Sequence, residues 1–285
     1  MNCGGERSYS KPKVVIFVAP KDNVRSHLER FLEFLKGRGW SILQVIDLGS
    51  KPEKSSLKQC DVIITLGGDG TILYAAREIE GFNKPILGIN FGKIGLLTEL
   101  TLEGFFDNVE NIENGKYSVS KVNRIEAIRV GSNEKFPSVL NEYVIMTRSP
   151  GKILGLDVYV DGELFSRALC DGLIIATPTG SSSYALSAGG PVVLESVKSF
   201  ILVPIAPLFR TTFPVVLPPS SIIRILVRKE WMDALLIADG VISGKLARGE
   251  EIMIRYSDAT TSFIRFGSKY SRLKKVIGMV SLKYG

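Results

Sequence analysis

Leu66-Gly67-Gly68-Asp69-Gly70-Thr71 sets a carboxylate inside a turn made of three glycines. An apolar run, Cys60 to Leu66, leads into it, and helical spacing follows from Thr71 to Ile79. Glycine lets a ligand approach the backbone closely, and N–H groups at a helix start suit a phosphate. A negative charge gains nothing in a pure anion-binding loop. It gains from a cation, or from a group with a proton to give up. The bland alternative is that Asp69 caps the helix opening at Thr71. Neither GxxxxGK[ST] nor GxGxxG is present, so a nucleotide bound here is held by other means.

Three further segments carry polar chemistry next to apolar runs. Gly88 to Leu97 is a second glycine-rich turn after a strand, either a plain corner or a backbone wall beside a flat ligand. Asn141-Glu142 sits in the apolar run Val139 to Ile145. Both need partners if buried, unless the strand is an edge with one wet side. Asp171 to Pro191 is a buried-strand run ending in a hydroxyl-rich turn, with Thr177, Thr179, Ser181, Ser182 and Ser183 entering a short helix. Hydroxyls with N–H donors suit ribose and phosphate oxygens. Serine-nucleophile chemistry has little support: GxSxG is missing, and the single histidine, His27, lies on an amphipathic helix.

The elements that must position these groups fall into two styles. Strand runs at Lys13–Ala19, Ser41–Leu48, Cys60–Leu66 and Pro85–Ile89 alternate with helices at Val24–Lys36, Thr71–Ile79 and Thr101–Asn114, which predicts a parallel α/β sheet. The pattern then changes to strands at Val119–Val130, Val139–Thr147, Leu156–Val160, Gly172–Ala176, Ile201–Ile205, Ile222–Val227, Leu235–Ile237, Glu251–Tyr256 and Ser262–Phe266. Asp161-Gly162 and Asp239-Gly240 are hairpin signals. Helical spacing returns at Arg272–Leu282. The expected organisation is a disordered lead-in over 1–11, an α/β domain over 12–115 joined by 268–285, and a β-rich domain over 116–267.

Composition sets the frame. The 285 residues allow one large or two ordinary domains, and 45% hydrophobic with 23% charged residues exclude disordered and disulfide-scaffold classes. A net charge of +7 suits an anionic partner, yet the basic residues are scattered, which argues against nucleic acid. The apolar run Phe200–Leu208 is broken by Pro204 and Pro207 and falls well short of the roughly 18–20 residues of a membrane span. Three separated cysteines and one histidine make no zinc site, and fit a reducing cytoplasm.

Taken in order, Gly67–Thr71, Gly88–Leu97, Asn141-Glu142 and Asp171–Pro191 resemble the NAD kinase family over about residues 60–245. GGDGT alone is shared with phosphofructokinases and with lipid kinases, so a lipid or sugar kinase is one alternative and a non-catalytic dinucleotide sensor another. The long fourth motif is what is specific. The resemblance implies phosphoryl transfer from ATP, or another donor such as polyphosphate, to the 2′-hydroxyl of the adenosine ribose of NAD. Asp69 would be the proton acceptor, with Gly67, Gly68, Gly70 and Thr71 lining the donor phosphates. Mg²⁺ or another divalent metal would be held mainly by those phosphates and not by a protein cluster.

The resemblance also implies an NAD-binding set: Asp69, Gly70, Leu96, Asn141, Glu142, Lys152, Asp171, Ser182, Ser183, Tyr184, Ala185, Leu186, Ser187, Ala206 and Val241. Homo-oligomers are implied too, as dimers or tetramers. The sequence departs from the family pattern where Leu96 replaces an aromatic, where Ser182-Ser183 stand for a Thr-Ala pair, and where Pro204–Pro214 lacks a histidine.

Overall fold

The computed structural model describes residues 11–92, 95–149, 151–209, 213–268 and 270–284. The lead-in expected over 1–11 lies outside them except for Lys11, as do Lys93 and Ile94 of the second glycine-rich turn. The chain divides into two compact units, residues 1–121 with 261–285, and residues 122–260.

The first unit is α/β. Its elements are β1 (Lys13–Val18), α1 (Asp22–Gly37), β2 (Ser41–Asp47), α2 (Lys54–Gln59), β3 (Val62–Gly67), α3 (Asp69–Glu78), β4 (Pro85–Asn90), β5 (Leu100–Thr101) and α4 (Leu102–Glu113). The strands run parallel in the order β2-β1-β3-β4, with β5 also on β4. Both sheet faces are covered, so β1 and β3 read as near-continuous apolar runs. Val14, Ile16 and Val18 of β1 meet Phe31 and Leu35 of α1 and Phe105 and Val109 of α4 in one core. Phe17, on the opposite face, meets Tyr74 of α3 with ring centroids 6.1 Å apart. Helices on opposite faces follow from a strand order that reverses between β1's neighbours, β2 and β3. In open α/β sheets, ligands gather outside the carboxyl ends of strands at such a reversal, and β3 ends there in Gly67-Gly68.

The second unit is antiparallel. Its strands are β6 (Ser118–Arg129, entering from the first unit), β7 (Glu142–Thr147), β8 (Leu154–Val160), β9 (Glu163–Cys170) and β10 (Gly172–Ala176). After the short helix α5 (Tyr184–Ser187) come β11 (Phe200–Ile205), β12 (Val215–Leu217), β13 (Ile223–Val227), β14 (Ala234–Ala238), β15 (Val241–Leu246) and β16 (Glu251–Arg265). One sheet runs β12-β11-β10-β7-β14-β15. Facing it, β13 pairs with the first part of β16 and with β8, and β8 pairs with β9. Tyr143, Ile145, Leu173, Ile175 and Leu236 pack against Leu156, Val158, Ile225 and Ile254 between the two. The outer face of the first sheet, Val144, Ile174 and Val203, is covered by Ala185 of α5. Both faces of β10 are therefore buried.

Four differences from the sequence expectation have physical reasons. The strand expected over Val139–Thr147 begins at Glu142, because the N–H groups of Leu140 and Asn141 go to the Asp239 carboxylate and not to a ladder. Helix α3 begins at Asp69, two residues before Thr71, with Gly68 as N-cap. The two strands expected at Glu251–Tyr256 and Ser262–Phe266 are one continuous strand, Glu251–Arg265, whose polar middle is partly exposed. The edge strands β9, β12 and β15 and the short α2 were not expected at all. From α6 (Ser271–Tyr284), Val276 is buried. None of the helices among the described residues is long and apolar enough to cross a membrane.

Glu113 ties the first unit's ends together. Its carboxylate, 9% exposed, accepts from Arg38 Nε and Nη2 at 2.9 and 2.8 Å, Trp40 Nε1 at 2.8 Å and Lys11 Nζ at 2.8 Å. The Arg38 hydrogen bonds, against opposing burial, hold its pKa down at about 2. Its stabilisation is therefore present above the unfolded carboxylate range near 4.3 and is lost as pH falls toward 2. Glu113→Gln is expected to lower stability by about 1–3 kcal/mol at pH 7. The gap from wild type in chemical denaturation should close as the pH is taken from about 5 down to about 2. A gap that stays constant over that range refutes the assignment.

Candidate functional site

In the first unit the site is a carboxylate held by a loop. Asp69 Oδ2 accepts the N–H of Leu96 at 3.0 Å and Oδ1 the N–H of Leu97 at 2.9 Å. Its oxygens thus reach across to the second glycine-rich turn and do not cap α3, whose N-cap makes no side-chain hydrogen bond. Each oxygen keeps lone pairs beyond these bonds. Gly67 is required by close packing: a side-chain carbon there would lie 2.2 Å from Thr71 Oγ1 and 2.9 Å from Ala19 Cβ. Thr71, 3% exposed, therefore sits beneath the turn and shapes it. Gly68 and Gly70 instead have open space where a side chain would be, so their backbone is approachable.

The 95–99 loop is built, not loose. Asn90 Oδ1 accepts from Gly92 N and its Nδ2 donates to Gly92 O, both at 3.0 Å. Glu99 N donates to Gly88 O at 2.9 Å. Glu99 Oε1 accepts from Phe266 N and Gly267 N at 2.8 and 3.1 Å, and its Oε2 pairs with Arg265 at 3.1 Å. Arg265 Nη1 also donates to Leu97 O at 2.9 Å. Leu96 and Leu97 are buried, so Leu96 is a packing residue and its N–H is what faces Asp69.

In the second unit a buried polar cluster centres on Asn141 and Glu142, 5% and 6% exposed. The edge-strand alternative fails: β7 lies between β10 and β14. Asp239 accepts the N–H groups of Leu140 (2.8 Å), Asn141 (2.8 Å) and Glu142 (3.1 Å). Thr177 Oγ1 donates to Leu140 O at 2.6 Å and accepts from Gly180 N at 3.1 Å. A side-chain carbon at Gly180 would lie 2.2 Å from Asn141 O, so only glycine lets the hydroxyl-rich turn pack on the Asn-Glu pair. Ser183 Oγ donates to Glu142 Oε1 at 3.3 Å. Asn141 Oδ1 and Glu142 Oε2 are buried and meet no protein partner, which marks them as atoms for a ligand.

Electrostatics follow from burial. Burial first, then the neighbouring Asp239 charge, pushes Glu142 up to about 8, against the Ser183 hydrogen bond. Burial likewise raises Asp239, against its three N–H donors and the attraction of Arg124.

The other expected residues divide by position. Ser182 is buried beside the cluster, Tyr184 is 38% exposed, and Leu186 and Ser187 are partly and well exposed. Ala185 is fully buried in the core, so its side chain offers a ligand nothing. Asp171 is exposed at the start of β10, Lys152 is exposed in the turn before β8, Ala206 follows β11 at φ +45°, and Val241 opens β15, 47% exposed. These four stand at strand ends and turns outside the hydrogen-bonded cluster. Asp239 was read only as a hairpin residue. Its positive φ of +46° was legible in Asp-Gly, but its three N–H contacts were not. Glu99, Arg265 and Lys275 lie in no motif and gave no signal.

Family models match both units: the ATP-NAD kinase N-terminal domain over residues 15–117 and the ATP-NAD kinase C-terminal domain over 140–266. The pair of units and their ordered turns make this a kinase of the α/β-plus-β kind. The NAD kinase of Methanothermobacter thermautotrophicus is 37% identical over 86% of this chain and 88% of its own length. The crystal structure of an NAD kinase from Archaeoglobus fulgidus in complex with ATP is 30% identical, covers 93% of this chain and 98% of that one, and superposes with a TM-score of 0.76. Yeast NADH kinase complexed with NADH shares the fold at a TM-score of 0.83, 22% identity, and 95% and 88% coverage. The chain is an enzyme and belongs to the NAD kinase family.

The raised Glu142 makes a thermodynamic test. A carboxylic acid whose folded pKa lies above its unfolded value stabilises fully below the unfolded value, and that stabilisation is lost as pH rises through the folded value. Glu142→Gln keeps the shape without the charge. Ligand-free Glu142→Gln should match wild type near pH 4.5 and become more stable by about 1–3 kcal/mol at pH 8–9. Equal melting curves at both pH values overturn the assignment.

Proposed function

We propose that this chain phosphorylates NAD, moving the γ-phosphoryl group of ATP to the 2′-hydroxyl of the adenosine ribose and giving NADP. The observation that carries it is Asp69: a carboxylate fixed by the Leu96 and Leu97 N–H groups, with lone pairs to spare, beside the open backbone of Gly68 and Gly70 at the end of β3. In the step, the ribose oxygen bonds to the γ-phosphorus as the bond from that phosphorus to the β–γ bridging oxygen breaks. The hydroxyl proton passes to Asp69 and ADP leaves. Fixing the acceptor carboxylate in advance removes reorganisation from the transfer.

Glycine backbone at 67–70 faces the donor phosphates. A divalent cation would be carried mainly by those phosphates and not by a protein cluster. Such a cation, when bound, neutralises the phosphate charge. In the second unit, Asn141 Oδ1 and Glu142 Oε2 take polar groups of the dinucleotide, Ser182 and Ser183 add hydroxyls, and Tyr184 offers a face to a base. Lys152, Asp171, Leu186, Ser187, Ala206 and Val241 extend the dinucleotide surface. A cytoplasmic setting agrees with free, buried Cys60 and Cys170. A homo-oligomer would cover Leu208, Phe209 and Phe213, which are 53%, 58% and 63% exposed.

Purified protein with NAD, ATP and Mg²⁺ should form NADP, read with an NADP-specific dehydrogenase, with parallel wells ranking polyphosphate as donor and NADH as acceptor. Asp69→Asn is expected to lose about 10²- to 10⁴-fold in kcat while still binding NAD by calorimetry. Turnover retained in that variant sinks the proton-acceptor role. No NADP from any pair sinks the reaction.

A further inference from the structure

The loop that holds Asp69 is itself gripped from its carbonyl side. Lys275 Nζ, from α6, donates to Gly95 O at 3.2 Å and to Thr98 O at 2.8 Å. Gly95 C=O and Leu96 N–H belong to the same peptide plane. The chain of contacts is therefore ammonium to Gly95 carbonyl, then through one rigid peptide to Leu96 N–H, then to Asp69 Oδ2. A cation on a carbonyl withdraws electron density across the amide and makes its N–H a stronger donor, so bonds in such a series reinforce one another. Arg265 does the same on the next plane but one: it takes Leu97 O, the carbonyl of the peptide whose N–H is Thr98. Of these two, Lys275 is the one in line with an N–H that touches Asp69.

We propose that Lys275 is a positioning residue for phosphoryl transfer: it fixes and polarises the Gly95–Leu96 peptide, and through it sets the orientation of the Asp69 carboxylate. This rests on the reading of Asp69 as proton acceptor. The charged groups around this contact are Asp69 on α3, Glu99 in the loop, Arg265 on β16, and Arg272 and Lys275 on α6. Burial draws the Lys275 ammonium below the usual lysine range, aided by Arg265 and Arg272, while Glu99 and Asp69 pull the other way. The lysine thus has a cost of burial that its two carbonyl acceptors, Gly95 and Thr98, offset. Arg265 and Glu99 form a separate clasp, so loss of Lys275 leaves the loop tied at Leu97 and Glu99. That separation lets the polarising role be tested without dismantling the loop.

The test compares wild type, Lys275→Met, Lys275→Arg and Asp69→Asn by NADP formation, with NAD binding by calorimetry and melting temperature alongside. Lys275→Met is expected to lose about 10²-fold in kcat with the KM for NAD within about twofold of wild type. Lys275→Arg should recover most of the rate. An unchanged kcat in Lys275→Met overturns the proposal. So does a fall in kcat matched by an equal weakening of NAD binding, or one with no recovery by Arg, which is the mark of a bracket only. If Lys275→Met does not fold, Lys275→Gln, which keeps a donor without charge, decides the same points. Should Asp69→Asn retain turnover, the reading of Asp69 fails by itself, whatever Lys275 does.

Discussion

Backbone N–H groups that leave a strand or loop without a ladder partner must be met by something, and in this protein carboxylates meet them. Asp69 takes Leu96 and Leu97, Asp239 takes Leu140, Asn141 and Glu142, and Glu99 takes Phe266 and Gly267. Each pairing satisfies backbone groups that would otherwise lack a protein partner. The two glycine-rich turns of the first unit are joined through Asp69, and the carboxylate is oriented by the loop it holds. At Asp69, under the proposed reading, the atoms that hold the turn are also the atoms that take the proton.

The same economy governs the hydroxyl-rich segment. Thr177 holds Leu140, and Ser181 Oγ donates to Pro178 O at 2.7 Å and accepts from Val193 N at 3.0 Å. Much of what looks like a ligand-binding row of hydroxyls is thus spent on folding the turn against Asn141. Under the proposed reading, what remains for a dinucleotide is the pair of unsatisfied atoms on Asn141 and Glu142. Burial and the neighbouring Asp239 both disfavour the charged form of Glu142.

Strands β1, β3 and β4 were legible because they are buried on both faces and their sequences are nearly continuous apolar runs. The edge strands were not. β9 reads Glu163-Leu-Phe-Ser-Arg-Ala-Leu-Cys170 with its first half exposed, and β15 carries Val241 and Ile242 into solvent, so neither shows an inward alternation. β16 looked like two strands because its middle, Ser257 to Thr260, is polar and half-exposed. The glycine turns and the Asn-Glu pair were legible from residue type alone. Asp239, Glu99, Arg265 and Lys275 were not, since each acts on backbone atoms tens of residues away, and only the fold brings those together.

The first unit is assembled from both flanks of the second: residues up to 121 and residues from 261 onward. On a ribosome the chain emerges in order, so the GGDG turn and its partner loop are made long before Glu99 can find Phe266 or Arg265 can reach Leu97. Residues 122–260 can close their own core in the interval. Until then the 95–99 loop has its bonds to Asp69 and Gly88 but not those to Arg265 and Phe266, which lie 168 and 167 positions further along the chain. A product arrested before Arg265 has every residue of the resemblance and none of the clasp. The braced form of the Asp69 loop therefore depends on residues that the chain supplies only after the whole of the second unit.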